Sequence, residues 1–138
     1  GDGNQLPMKG KAFISVNDFD KPKLIPIAKD LLNLGFKILA TKGTAEFLIK
    51  ENLQVDTIYK VGEGRPNALD GIKNKEISLV INTPLGAQSR FDENSIGIAA
   101  TQVRIPVLTT LSAAQALIKA IKSNNKNQVR SIQEIHNS

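Results

Sequence analysis

The sequence predicts an α/β fold of the Rossmann-like kind: an open, mainly parallel, five-stranded sheet with helices on both faces. Three observations lead there. Short apolar runs rich in β-branched residues alternate with stretches whose apolar residues fall on a helical stripe. Pro and Gly stand where the helices begin and end. The alternations are too few for a closed eightfold barrel, so the sheet stays open and its crossovers cover both faces.

Gly1 to Gly10 are rich in Gly and polar side chains and read as a linker, or as the tail of something upstream, which places the domain at 11–138. Ala12-Phe13-Ile14-Ser15-Val16 has the pattern of a buried strand. Asp20 and Pro22 then open a helix, because a proline in the first turn gives up an N–H that has no intrahelical partner anyway. Leu24, Ile25, Ile27, Ala28, Leu31 and Leu32 form its apolar stripe, and Gly35 ends it. Phe36 to Ala40 is the second strand, Thr41-Lys42-Gly43-Thr44 its loop, and Ala45 to Glu51 the second helix. Val55 to Val61 holds a short third strand, Gly62 to Asn67 a loop, and Ala68 to Lys73 a short helix. Ser78 to Asn82 is the clearest buried strand in the chain. A helix around Glu93 to Thr101, a strand at Pro106 to Leu108 and a helix from Ser112 to Lys122 complete the series. Val129 to Ile132 fits either a last strand or a terminal helix.

With 138 residues, 41% of them hydrophobic, the chain has the length and apolar content of one packed domain. Aromatic residues make up 4% and Trp is absent, so Ile, Leu, Val and Ala must build the core. The 18 Lys and Arg against 13 Asp and Glu leave a net charge of +5, which favours anionic partners. Nucleic acid is the rival partner, but the cations are scattered and there is little aromatic surface for bases to stack on. A solvated basic surface is the plainer reading, and no nucleic-acid partner is expected. Without cysteine there is neither a disulfide nor a thiolate metal site. No apolar run approaches the ~18 residues that span a bilayer, and the start lacks a signal pattern. A soluble, cytoplasmic protein with no membrane partner is expected.

In an open parallel sheet, ligands bind at the carboxyl ends of the strands, near the point where strand order switches. Ser15 stands at the end of the first strand and Lys21 at the start of the first helix; Lys60 closes the third strand, and Asn82 and Thr83 close the fourth. The Thr41-Lys42-Gly43-Thr44 loop carries the most chemistry. Gly43 lets the backbone approach a ligand closely, and the N–H groups of the helix that follows suit an anion. The threonine hydroxyls can donate to phosphate oxygens beside a lysine charge. Equally open is a structural reading, with Gly43 as a turn residue and Thr44 as a helix N-cap. The loop matches neither GxxxxGK[ST] nor GxGxxG.

Enzyme signatures are scarce, and no catalytic or metal-ligating residue is expected. The single histidine, His136, lies near the C-terminus in a polar stretch. Asp18 and Asp20 could supply a carboxylate base, but capping and charge compensation at the helix start is the simpler role. Arg65 suits either the lip of an anion site or a plain surface loop, while Lys119, Lys122, Lys126 and Arg130 form a solvated helical face.

Three stretches together resemble a known family. Phe13 to Lys21 is similar to the opening strand and turn of methylglyoxal-synthase-like domains, and Gly35 to Thr44 to their second strand and phosphate loop. Lys60-Val61-Gly62-Glu63-Gly64-Arg65-Pro66-Asn67, running on through Asp70 to Asn74 and Ile81 to Thr83, is the discriminating stretch. It resembles the C-terminal allosteric domain of the carbamoyl-phosphate synthase large chain, and the likeness runs from about Lys11 to Ile135. Gly1 to Gly10 resemble the end of a preceding synthetase domain, so a fragment excised from a longer chain is expected.

The resemblance implies a methylglyoxal-synthase-like fold and a non-catalytic domain that binds nucleoside monophosphates, UMP as inhibitor and IMP as activator. Lys21, Thr41, Lys42, Gly43, Thr44 and Lys60 would hold the phosphate; Ser15, Asn82 and Thr83 would line the nucleoside. Thr109 would contact ornithine, a second effector. Pro84 occupies a position where the family has a hydroxyl near the nucleoside. The domain would need no cofactor. Its parent would be a cytoplasmic ATP-dependent ligase, with ATP and Mg or Mn on the preceding synthetase domains of the same chain. A glutaminase small chain would be its partner, and carbamoyl phosphate for pyrimidines and arginine its product. The rival reading is an active methylglyoxal synthase acting on dihydroxyacetone phosphate. Against it, Asn17 stands where that enzyme would carry a His, and the Gly62 to Asn67 loop lacks its catalytic Asp pattern. The cyclohydrolase domain of purine synthesis shares the first strand and a similar loop but not the Lys60 to Asn67 stretch.

Overall fold

The computed structural model describes residues 10–83 and 87–137, with side chains described over 10–83 and 95–124. Expectations that fall on residues 1–9, on Pro84, and on the side chains of Lys126, Arg130 and His136 lie outside the described residues.

Five strands, β1 (Gly10–Ser15), β2 (Phe36–Ala40), β3 (Val55–Thr57), β4 (Ile77–Asn82) and β5 (Val107–Leu108), form one sheet in the order β3-β2-β1-β4-β5. Every pairing is parallel. The predicted Rossmann-like sheet is therefore present, and parallel throughout. Between the strands run α1 (Lys21–Asn33), α2 (Lys42–Lys50), α3 (Ala68–Lys73) and α4 (Ala87–Val103), and α5 (Leu111–Asn137) follows β5.

The strands are buried on both sides, which is why they read as unbroken apolar runs. Ala12 and Ile14 of β1, with Leu79 and Ile81 of β4, pack against Leu24, Ala28 and Leu31 of α1, Leu48 of α2 and Ile118 of α5. On the opposite side, Phe13, Leu39 and Val80 meet Ala68 and Ile72 of α3 and Ile96 and Ala99 of α4. Right-handed crossovers account for this split: α1 and α2 lead from β1 towards β3, whereas α3 and α4 lead back the other way and cover the other face.

The ends of elements depart from the sequence pattern in instructive ways. Gly10 already belongs to β1 rather than to a linker. Gly35 follows the last turn of α1 with a φ of +101°, the left-handed conformation that favours glycine. Pro26 sits inside α1 without ending it. Residues 42–44, expected as loop, are the first turn of α2, because N–H groups there need no intrahelical partner and neither Gly nor Thr breaks a first turn. β3 ends at Thr57, although the Ile58 N–H still donates to the Ala40 carbonyl at 2.9 Å. Val129 to Ile132 is no strand: α5 continues unbroken from Leu111 to Asn137, the polar 123–128 stretch holding no Gly or Pro to stop it.

Candidate functional site

The sheet order places the switch point between β1 and β4, since the chain leaves β1 towards β2 and returns on the other side as β4. A crevice at their carboxyl ends follows from that topology. Ser15 and Asn82 are direct register partners there. Next to them, the Thr41 N–H donates to the Ile14 carbonyl (3.4 Å) and the Thr83 N–H to the Ser15 carbonyl (3.0 Å). The fold thus brings the strand-end polar residues to one edge.

Thr41 and Thr44 are both buried, at 3% and 2% exposure, and neither caps its helix. Thr41, rather than the Thr44 of the structural reading, holds the N-cap position, but its hydroxyl donates across the sheet to Ser15 Oγ (3.1 Å). Thr44, inside the first turn, accepts the Val16 N–H at 3.3 Å and so ties the β1 end to α2. With no side-chain cap, the first-turn N–H groups of α2 are left to whatever approaches from outside.

Lys21 approaches. A Cβ built on Gly43 would lie 3.2 Å from Lys21 Nζ, so the ammonium sits against the first turn of α2. A cation at the positive end of a helix is unfavourable by itself, and an anion between them satisfies both. Asp18 supplies a carboxylate 2.5 Å from Lys21 Nζ. The hydrogen bond from Lys21, reinforced by its charge, holds the Asp18 carboxyl below its ordinary value of 3.8.

Asn82 is 6% exposed, and among the described residues its side-chain amide makes no hydrogen bond. A buried amide without partners costs about 1–3 kcal/mol, which a polar ligand at this edge would recover. Thr83 turns the other way. Its hydroxyl accepts from the Asn17 N–H (2.9 Å) and Asn17 Nδ2 (3.3 Å), while Asn17 Oδ1 accepts the Asp20 N–H (3.0 Å). Asn17, and neither Asp18 nor Asp20, therefore organises the entry to α1, whose N-cap Asp20 makes no side-chain cap bond. The local signal for that turn is the Asn17-x-x-Asp20 spacing, which an expectation built on the two aspartates overlooks.

The remaining candidates make fewer contacts there. Lys42 is exposed at the first position of α2. Lys60 is exposed beyond the end of β3 and forms no ion pair among the described residues. Thr109 borders a separate cavity of about 580 Å³ with Asn17, Asp20, Thr83, Thr110 and Ser112. Arg65 is engaged at α3: its guanidinium grips Asp70 through Nη2 (2.6 Å) and Nε (3.2 Å). Asp70 in turn accepts the Asn67 N–H (3.0 Å), and Asn67 Oδ1 accepts from the Leu69 and Asp70 N–H groups (2.9 and 3.3 Å), a complete capping box on α3. On the expected helical face, Lys122 is engaged with Asp30 at 3.1 Å. Among the described residues no cluster of His, Cys, Asp or Glu could hold a metal ion, and no helix is long and apolar enough to cross a membrane.

Residues 23–109 match the family model of the MGS-like domain, from just past Lys21 to Thr109. The chain belongs to the MGS-like domain family. Its MGS-like sequence is 48% identical over 124 residues to the carbamoyl phosphate synthase large chain of Acidobacterium capsulatum, covering 90% of this chain and 11% of that one. The namesake from Pseudomonas syringae pv. tomato is 46% identical over 136 residues, 99% of this chain and 13% of that one. A carbamoyl phosphate synthase large chain, C-terminal section, from Aquifex aeolicus is 46% identical, covering 98% of this chain and 26% of that section. The chain thus spans a small part of the length of the relatives it matches. The crystal structure of methylglyoxal synthase from Elizabethkingia anophelis shares the fold, with a TM-score of 0.65 at 13% identity over 82% of this chain and 79% of that one.

Proposed function

We propose that this MGS-like domain is a regulatory module that binds nucleoside monophosphates, UMP and IMP, within a carbamoyl phosphate synthase large chain. The observation that carries the reading is the Lys21 ammonium held against the uncapped first turn of α2. Phosphate would lie between that turn and Lys21, with Thr41, Lys42, Gly43, Thr44 and, from the β3 end, Lys60 around it. The nucleoside would run over Ser15 and the amide of Asn82, which has no hydrogen-bond partner among the described residues, with Thr83 behind. Ornithine would take the second cavity, where Asp20 offers a carboxylate to an amine beside Thr109.

The effector would act by binding one state of the synthetase better than another, the only way a ligand moves an equilibrium. The carboxylates near the crevice support a non-catalytic role: Asp18 is engaged by Lys21, Asp20 by Asn17 and Asp70 by Arg65, so none is poised as a base. ATP, with Mg or Mn, would belong to the synthetase domains of a cytoplasmic, glutamine-hydrolysing ligase that feeds pyrimidine and arginine synthesis with its glutaminase small chain. Neither nucleic acid nor membrane is a partner in this reading.

Calorimetric titration with UMP, IMP and ornithine separately tests it. UMP or IMP should bind, and Lys60→Ala combined with Thr44→Ala should abolish binding. Because Thr44 accepts the Val16 N–H in the core, that double variant also loses about 1–3 kcal/mol of stability, which a melting curve reads alongside. Unchanged affinity would overturn the site, and phosphate release from dihydroxyacetone phosphate would overturn the regulatory role.

A further inference from the structure

Asp18 and Lys21 are paired but differ sharply in burial. The Lys21 side chain is 20% exposed and its ammonium touches the first turn of α2; the Asp18 side chain is 89% exposed on the rim. One residue thus carries a fixed cation into the site while its neighbour three positions back supplies the matching anion from outside. That carboxylate does for the ammonium what a ligand phosphate would do, offsetting a positive charge placed against the positive end of a helix. The two anions cannot both hold the same ammonium at hydrogen-bonding distance without repelling one another.

We propose that Asp18 is a tethered counter-anion that holds Lys21 until a phosphate displaces it, and so sets the affinity of the site for its ligand. The proposal rests on the anion-site reading and adds a residue that weakens binding to those that make it. A phosphate dianion displaces the carboxylate because it carries more charge and can also reach the first-turn N–H groups of α2, which Asp18 leaves uncovered. The pair is exposed on the Asp18 side, so its hold is small and readily released.

Titration of the intact chain with inorganic phosphate at low ionic strength tests this. Asp18→Asn should tighten phosphate binding about two- to fivefold, the equivalent of about 0.4–1 kcal/mol for an exposed ion pair. The gain should vanish in a Lys21→Ala background. Glu51→Gln, which removes the same charge at the far end of α2, should leave affinity unchanged, separating the pair from a general charge effect. Unchanged or weaker binding by Asp18→Asn, with wild-type binding intact, would overturn the tether and leave the anion site standing. No phosphate or UMP binding by any of these proteins would overturn both.

Discussion

Helices α2 and α3 both begin at the carboxyl edge of the sheet, yet their first turns are finished in opposite ways. At α3 the polar side chains are used locally: Asn67 and Asp70 cap each other's backbone, Arg65 clamps Asp70, and Asn67 Nδ2 donates to the Gly64 carbonyl (3.0 Å). At α2 the residue best placed to cap, Thr41, spends its hydroxyl on Ser15, and Thr44 spends its own on Val16. A lysine is brought to that end instead. Completed hydrogen bonding marks a structural corner. Backbone donors left open beside a cation are what the proposed anion would satisfy.

The largest effect is expected from completing the α2 terminus artificially. Gly43→Asp would set a carboxylate beside Lys21 and the first-turn N–H groups, in the place proposed for phosphate. Affinity for UMP should fall at least about tenfold, the equivalent of one charge-assisted hydrogen bond. The melting temperature should hold or rise, since an acid in a first turn contributes about 0.3–1 kcal/mol. Retained UMP binding would mean that the phosphate goes elsewhere.

The converse change opens the α3 terminus. Asn67→Ala removes the side-chain half of the capping box, leaving Asp70 on the residue-67 N–H, and should cost about 1 kcal/mol in denaturant unfolding, leaving UMP affinity untouched. A loss of UMP affinity would move α3 into the site.

The smallest effect concerns acid. The Arg65 hydrogen bond, then that from the Asn67 backbone, holds the Asp70 carboxyl below its ordinary value of 3.8. Its contribution to stability is therefore present above that value and lost as pH falls through the lower folded one. Arg65→Ala should move the onset of this acid loss to higher pH, seen in melting temperatures across pH 2–5, an interval around the ordinary carboxylate range of roughly 4. With Arg65 81% exposed, the shift should be slight.

How much is legible in the sequence follows the same physics. Phe36–Ala40 and Ala68–Lys73 match their predicted bounds, because an apolar strand between Gly35 and a polar loop, and a helix behind an Asn cap, are local signals. The start of α2 escapes a local reading because Thr-Lys-Gly-Thr looks like a turn in isolation; only the helix that follows makes residues 42–44 its first turn. The length of α5 escapes it because weak helix formers suggest a stop, when each costs only about a few tenths of a kcal/mol. The strand-end polar residues stand at the carboxyl edge as expected. The partners that hold Arg65 and Thr83, Asp70 and Asn17, appear only in the folded chain.

The alternation of strands and helices, and the polar residues at the strand ends, are properties of the local sequence, because burial on both faces and helix punctuation are written in short stretches. That Lys21 meets Gly43, and that Asp18 meets Lys21 there, belongs to the tertiary structure alone. Parallel pairing puts every helix start at the same edge, but strand order selects which starts are neighbours. With β1 beside β2, the first turns of α1 and α2 face one another, and a lysine and a glycine distant in sequence come together.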